Sequence, residues 1–238
     1  MTKAIRLDKM LSHMGYGSRR EIKKLCKEGL ITVDGKTIAD SSVHVNTDEH
    51  EVKVGLERVI YREFMCLMLS KPSGVISATE DNRHKTVIDL LDKKYMGFNL
   101  FPVGRLDIDT EGLLLLTNDG QLAHRLLSPK KHIPKTYYAK IEGRVTQEDE
   151  ESFKRGVILD DGYKTLPAEL EILKSDNISE IQLTIYEGKY HQVKRMFEAV
   201  NKKVIYLKRI LMGNLMLDEK LALGEYRELN TDELQLLN

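Results

Sequence analysis

Four consecutive leucines, Leu113 to Leu116, follow directly on a polar loop that reads FPVGRLDIDTEG. An apolar run of that length, bounded by turn formers, predicts a buried strand. The loop in front of it crowds Asp107, Asp109 and Arg105 between Gly104 and Gly112. A polar loop feeding a buried strand holds its side chains at the edge of a core, where catalytic groups are commonly presented. Two readings stand at this point. The acids are turn formers with Arg105 paired to one of them, or one carboxylate does chemistry.

A chain of 238 residues has room for two domains, and an apolar fraction of 41% supports a real core. No stretch is apolar enough to span a bilayer, and residues 1–15 lack the apolar centre of a signal peptide. Cys26 and Cys66 stand alone without metal-ligand spacing, which predicts reduced packing residues, no zinc site and a cytoplasmic protein. The net charge of zero conceals segregation. Arg19, Arg20, Lys23, Lys24 and Lys27 form one basic cluster; Lys189, Lys194, Arg195, Lys202, Lys203, Lys208 and Arg209 form another. Such clusters can bind a polyanion locally within a Debye length.

The first sixty residues read as a unit. Ile5, Leu7, Met10, Leu11 and Met14 recur at helical spacing, with Gly15 and Gly17 ending the helix. Ser18 and Glu21 form a capping box for a second helix that turns Ile22 and Leu25 inward and its cations outward. Residues 30–38, with Asp34-Gly35 at the centre, predict a hairpin, and Val43, Val45, Val52 and Val54 predict further short strands. The stretch RLDKMLSHMGYGSRREIKKLCKEGLITVDGKTI resembles the S4 RNA-binding module. That resemblance implies that Arg19, Arg20, Lys23, Lys24 and Lys27 face structured RNA. The expected boundaries are an S4 domain over 1–58, a linker over 59–63 within a looser 55–63 stretch, and a second domain over 64–238.

In the second domain, strands are predicted over 64–69, 75–77, 137–141 and 181–186, and helices over 86–91, 121–127, 147–155 and 191–199. Without a regular βαβ repeat, the mixture predicts an α+β domain with a mixed, largely antiparallel sheet and flanking helices. Four blocks then fall in order: KPSGVISATEDNRHKTVIDLL, VGRLDIDTEGLLLLTNDG, PKTYYAKIEG and EGKYHQVKRMFEAVNKKVIYLKRILMG. Together they resemble the RsuA-type pseudouridine synthases, which carry an S4 module in front. QLAHRLLSPKKH and GEYRELN point to the small-subunit branch of that family.

The resemblance implies breakage of the uridine C1′–N1 bond, rotation of the base and rejoining at C5, with no cofactor or metal. It assigns the catalytic aspartate to Asp107, with Asp109 as the competitor. A carboxylate suits the chemistry because it can attack or deprotonate the ribose and stabilise charge at C1′. Covalent adduct and C2′ proton abstraction remain open. Substrate-binding roles fall to Arg105, Tyr137, Lys194 and Arg195. Tyr137 would stack on uracil and help remove the C5 proton. Lys194 is the family-aligned cation for Asp107 and Arg195 the fallback; many relatives carry arginine at the former position. Lys71 is expected near RNA, and His84 and His191 are expected to make structural or RNA contacts.

The implied substrate is a uridine of 16S rRNA (nucleotide 516 in the family), in the small subunit or an assembly intermediate, modified by a monomer with no membrane association. The rivals are the same reaction on 23S rRNA, a non-catalytic S4 assembly factor, and an N-glycosidase. The last would need a water-activating base that no motif supplies.

Overall fold

The computed structural model describes residues 4–237 and divides into two compact units. One comprises the chain to residue 65 together with 91–100; the other comprises 66–90 and the chain from 101 onward. Among the described residues, no helix is long and apolar enough to cross a membrane.

In the first unit, α1 (Leu7–His13) and α2 (Arg19–Lys27) pack through Leu7, Met10, Leu11, Ile22 and Cys26. The capping box of α2 is present in both directions, with the Ser18 amide donating to Glu21 Oε2 at 2.7 Å and the Glu21 amide to Ser18 Oγ at 3.3 Å. β1 (Ile31–Val33), β2 (Lys36–Thr37), β3 (Val52–Val54) and β4 (Glu57–Arg58) form an antiparallel sheet in the order β2-β1-β3-β4. Asp34 and Gly35 both take positive φ, 51° and 75°, as a two-residue hairpin turn requires. Part of the stretch expected as a linker is structured. Glu57–Arg58 pair with Lys53 and Val54, and Val59 is buried in the same core. The segment 91–100 packs here too, with Phe98 set edge-on against His13 at 4.7 Å.

The second unit is built on one large sheet. Its main strands are β5 (Cys66–Lys71), β6 (Glu111–Thr117), β7 (Lys135–Glu142), β8 (Glu169–Lys174), β9 (Ile178–Ile185), β10 (Lys203–Met212) and β11 (Tyr226–Glu228). They lie in the order β8-β9-β7-β10-β6-β5-β11, antiparallel throughout except for the β10–β6 pair. Leu113 to Leu116 are completely buried, so β6 is covered on both faces, as its unbroken leucines require. Leu113 and Leu115 join Met68 and residues of α3 (Gly120–Leu127), namely Leu122, Ala123 and Leu126, in one core cluster. Two further helices, α4 (Gln147–Arg155) and α5 (Gln192–Glu198), meet through the fully buried rings of Phe153 and Phe197. A short helix, α6 (Thr231–Gln235), follows β11. Cys26 and Cys66 are both free and buried.

One transverse row of this sheet positions the site. Leu170, Leu183, Tyr137, Arg209, Gly112 and Lys71 are register neighbours in turn across six strands. Residues paired in this way present their side chains to one face. Tyr137, Arg209 and Lys71 therefore share a face, with Gly112 leaving space between the last two. A Cβ on Gly112, whose φ is +101°, would lie 2.2 Å from the Arg209 carbonyl oxygen. Only glycine fits there.

Candidate active site

The loop between Gly104 and Glu111 owes its shape to groups beneath it. The Thr110 amide donates to the Asp107 carbonyl at 3.1 Å, closing a turn. Ser77 Oγ both donates to the Leu106 carbonyl at 2.9 Å and accepts from the Leu106 amide at 3.0 Å. The Gly74 amide donates to the Ile108 carbonyl at 2.8 Å. Lys71 lies fully buried under the loop, where its ammonium donates to the carbonyls of Pro72 (3.0 Å), Asp107 (3.1 Å) and Thr110 (2.9 Å), with Ile108 at 3.4 Å. Burial pulls its pKa down to about 8, against the opposing pull of Asp109, Asp107 and Glu111. The expectation that Lys71 contacts RNA is corrected by this placement. Its charge is consumed in a cage of backbone oxygens and has no exposed surface to offer.

At the loop tip, Asp107 is about a quarter exposed, and Lys194 Nζ lies 3.1 Å from its Oδ2. The same ammonium donates to Asp109 Oδ1 at 2.7 Å. Asp109 is the more open of the two, with 64% of its side chain exposed. Burial pushes the Asp109 carboxyl up, but the Lys194 hydrogen bond and charge outweigh it and hold the group below its usual range. Burial also lowers Lys194, and its bonds to Asp109 and Asp107 more than reverse that. His191, at the start of the same helix as Lys194, has its Nε2 3.6 Å from Asp107 Oδ1.

Lys194 and Arg195 are adjacent on α5, where neighbours diverge by about 100° around the axis. Val193, Met196 and Phe197 are buried and fix the helix rotation. Lys194 then meets Asp107, and Arg195 turns away to Asp160 and Asp161, its Nε 2.6 Å from Asp160 Oδ1 and its Nη2 2.7 Å from Asp161 Oδ2. The fallback cation for Asp107 is thus engaged elsewhere.

Tyr137 is buried on the face it shares with Arg209 and Lys71, and it makes no hydrogen bond to Asp107. Tyr138 points to the opposite face, where its hydroxyl bonds Glu180 and its ring lies 6.0 Å from that of Tyr206. Arg105 is exposed and forms no ion pair among the described residues, so it is not the structural partner of either aspartate. Arg19, Arg20, Lys23, Lys24 and Lys27 are all exposed on α2, and Lys24 lies 3.7 Å from Glu28. His84 sits in a turn closed by Asp81.

Sequence reasoning grouped Arg209 with a basic surface cluster, yet it is 2% exposed, with Nε donating to the Leu113 carbonyl at 2.8 Å. Lys202 of the same cluster pairs with buried Asp149 at 2.7 Å. The available signal was the apolar setting VIYLKRILM, which makes Arg209 an internal member of a strand. Among the described residues, no group of three or more His, Cys, Asp or Glu side chains is arranged to hold a metal. A carboxylate fixed beside an ammonium at the mouth of a rigid loop can serve as nucleophile or base toward an electrophilic sugar carbon.

This fold and site define a class. The chain belongs to the RNA pseudouridylate synthase family, whose model matches residues 65–199, and it carries an S4 domain matched over residues 5–51. It is accordingly an isomerase acting on RNA. It is 56% identical to YtzG of Bacillus subtilis (strain 168), described as an uncharacterized RNA pseudouridine synthase, over 98% of both chains. Ribosomal large subunit pseudouridine synthase B of the same organism is 43% identical, over 98% of this chain and 95% of the relative. Ribosomal small subunit pseudouridine synthase A of Yersinia pestis is 39% identical over 97% of both. A crystal structure of a pseudouridylate synthase superposes with a TM-score of 0.69 at 36% identity, covering 98% of this chain and all of that one.

Proposed function

We propose that the protein isomerises a uridine of 16S rRNA to pseudouridine, with Asp107 as the group that acts on the ribose. The observation that carries this reading is the Lys194 ammonium 3.1 Å from Asp107 Oδ2, at the tip of a loop caged from below. A fixed ammonium beside the carboxylate orients it without rearrangement during the reaction. The target nucleotide must leave its stack to reach the carboxylate. In the reaction, the C1′–N1 bond breaks, the base turns, C5 bonds to C1′, C5 loses its proton and N1 gains one. Tyr137, on the face shared with Arg209 and Lys71, would stack on the base, and Arg105, exposed and with no carboxylate partner among the described residues, would contact RNA near the flipped nucleotide. The five cations of α2 supply the sequence-independent hold on phosphate. The enzyme works as a monomer in the cytoplasm, on the small subunit or an assembly intermediate.

A second reading, the same isomerisation on 23S rRNA, is favoured by the 43% identity to a large-subunit synthase. The test is tritium release from 16S and 23S rRNA labelled at uridine C5. Release from 16S alone supports the first reading, and release from 23S alone replaces it with the second. Binding without release from either RNA would leave a non-catalytic factor, and free uracil would mean a hydrolase.

A further inference from the structure

The turn at Gly188 to His191 is pinned more firmly than its solvent exposure requires. Glu187, itself buried, accepts from the Leu166 amide at 2.9 Å, from Gln192 Nε2 at 2.9 Å and from the Tyr163 hydroxyl at 2.6 Å. Gln192 Oε1 accepts from the Lys189 amide at 2.8 Å. Arg195, clamped by Asp160 and Asp161, donates to the Tyr190 carbonyl at 3.3 Å. Within this frame His191 is held at φ +48°, a left-handed conformation that a residue with a β-carbon adopts at some cost.

What the frame displays is a pair of stacked rings. Tyr190 and His191 lie with centroids 3.7 Å apart and planes 20° from parallel. The inner ring, His191, is 3.6 Å from Asp107. The outer ring, Tyr190, is 71% exposed, so the face away from His191 is open. The adjoining cleft, about 390 Å³, is lined by these two rings with Asp160, Asp161, Glu198, Lys194 and Arg195. Three carboxylates face two cations, and both cations are already paired. Such a lining repels phosphate. It suits a flat, uncharged heterocycle whose amino and imino groups can donate to carboxylates.

We propose that Tyr190 and His191 form a nucleobase-stacking subsite that takes an unpaired base of the RNA beside the target uridine. The proposal rests on Asp107 being the reacting group. Base–aromatic stacking needs only a π face and an open ring, so the subsite tolerates different bases while fixing the strand's position. With His191 against the Asp107 carboxylate, a base on Tyr190 registers the neighbouring ribose at the reacting oxygen.

The chain contains no tryptophan, so Tyr190→Trp introduces a single indole at the platform, excited selectively over the remaining tyrosines. The probes are C5-tritiated 16S and 23S rRNA transcripts. The expected result is quenching of the indole emission of Tyr190→Trp on adding the RNA that supports tritium release. Tyr190→Ala should raise KM by roughly 10- to 100-fold while changing kcat far less. Emission unchanged by that RNA, together with an unchanged KM in Tyr190→Ala, overturns the subsite and leaves Asp107 as it stands. If Asp107→Asn still releases tritium, the Asp107 assignment on which the subsite rests falls instead. Quenching that persists in Tyr190→Trp/Asp107→Asn, with release abolished, supports both.

Discussion

Lys71→Met should separate folding from catalysis, because this buried ammonium grips the loop that carries Asp107 from below. Burial holds its pKa at about 8 instead of 10.5, a penalty of ~3 kcal/mol on the charged form in the folded state. Methionine removes that penalty. It also strips the short bonds to the carbonyls of Pro72, Asp107 and Thr110, each buried acceptor costing ~1–3 kcal/mol when left unpaired. The net expectation is a loss of ~0–6 kcal/mol, read by urea unfolding at pH 7. Asp107 then loses the anchor on its own carbonyl. A misplacement of about 1 Å at a reacting group costs on the order of 100-fold, so single-turnover tritium release should fall by at least that factor in the folded variant. The wild type carries a pH signature as well. Because the folded pKa lies below the unfolded value, the unfolded chain holds the proton more tightly between pH 8 and 10.5. This group's contribution to stability therefore rises with pH across that window and is flat below it. The Lys71→Met variant should lose this share of the rise and keep the share of Lys135, whose pKa burial also lowers to about 8. Wild-type release rates in folded Lys71→Met, with the alkaline rise intact, would refute the cage.

Lys194→Met should lower kcat by roughly 10- to 1000-fold, whereas Arg195→Met should spare kcat far more and loosen residues 157–165, read by tritium release and hydrogen exchange. Gly112→Ala forces a methyl against the Arg209 carbonyl and holds alanine at φ +101°, so it should destabilise by at least ~3 kcal/mol in urea unfolding. Neutralising Arg19 and Lys23 together should flatten the slope of log K against log salt for rRNA by about 1.4–1.8, measured by filter binding; an unchanged slope removes α2 from the interface.

What the sequence made legible were features decided by neighbours in the chain. The capping box at Ser18 and Glu21, the positive-φ pair Asp34-Gly35 and the four buried leucines each state their own structure. The longest strand, β10, stayed hidden because Lys203, Lys208 and Arg209 interrupt its apolar pattern. The backbones of β10 and β6 approach as closely as they do at Arg209 only because Gly112, almost a hundred residues away, has no β-carbon. The choice between Lys194 and Arg195 was equally non-local. Adjacent helix positions point in different directions, and the positions of Asp107 and Asp160 decide which cation serves which carboxylate. The polar run after β5 suggested an RNA contact for Lys71, because nothing local reveals a ring of backbone oxygens contributed by residues 107–110.

Asp107, and not the neighbouring Asp109 that shares Lys194, is proposed to act on the ribose. Tritium release from C5-labelled rRNA by Asp107→Asn and Asp109→Asn tests it most directly, with circular dichroism to verify folding. Asp107→Asn should show background release only, and Asp109→Asn at least a tenth of wild-type release. Sustained release from Asp107→Asn with Asp109→Asn inactive would contradict it.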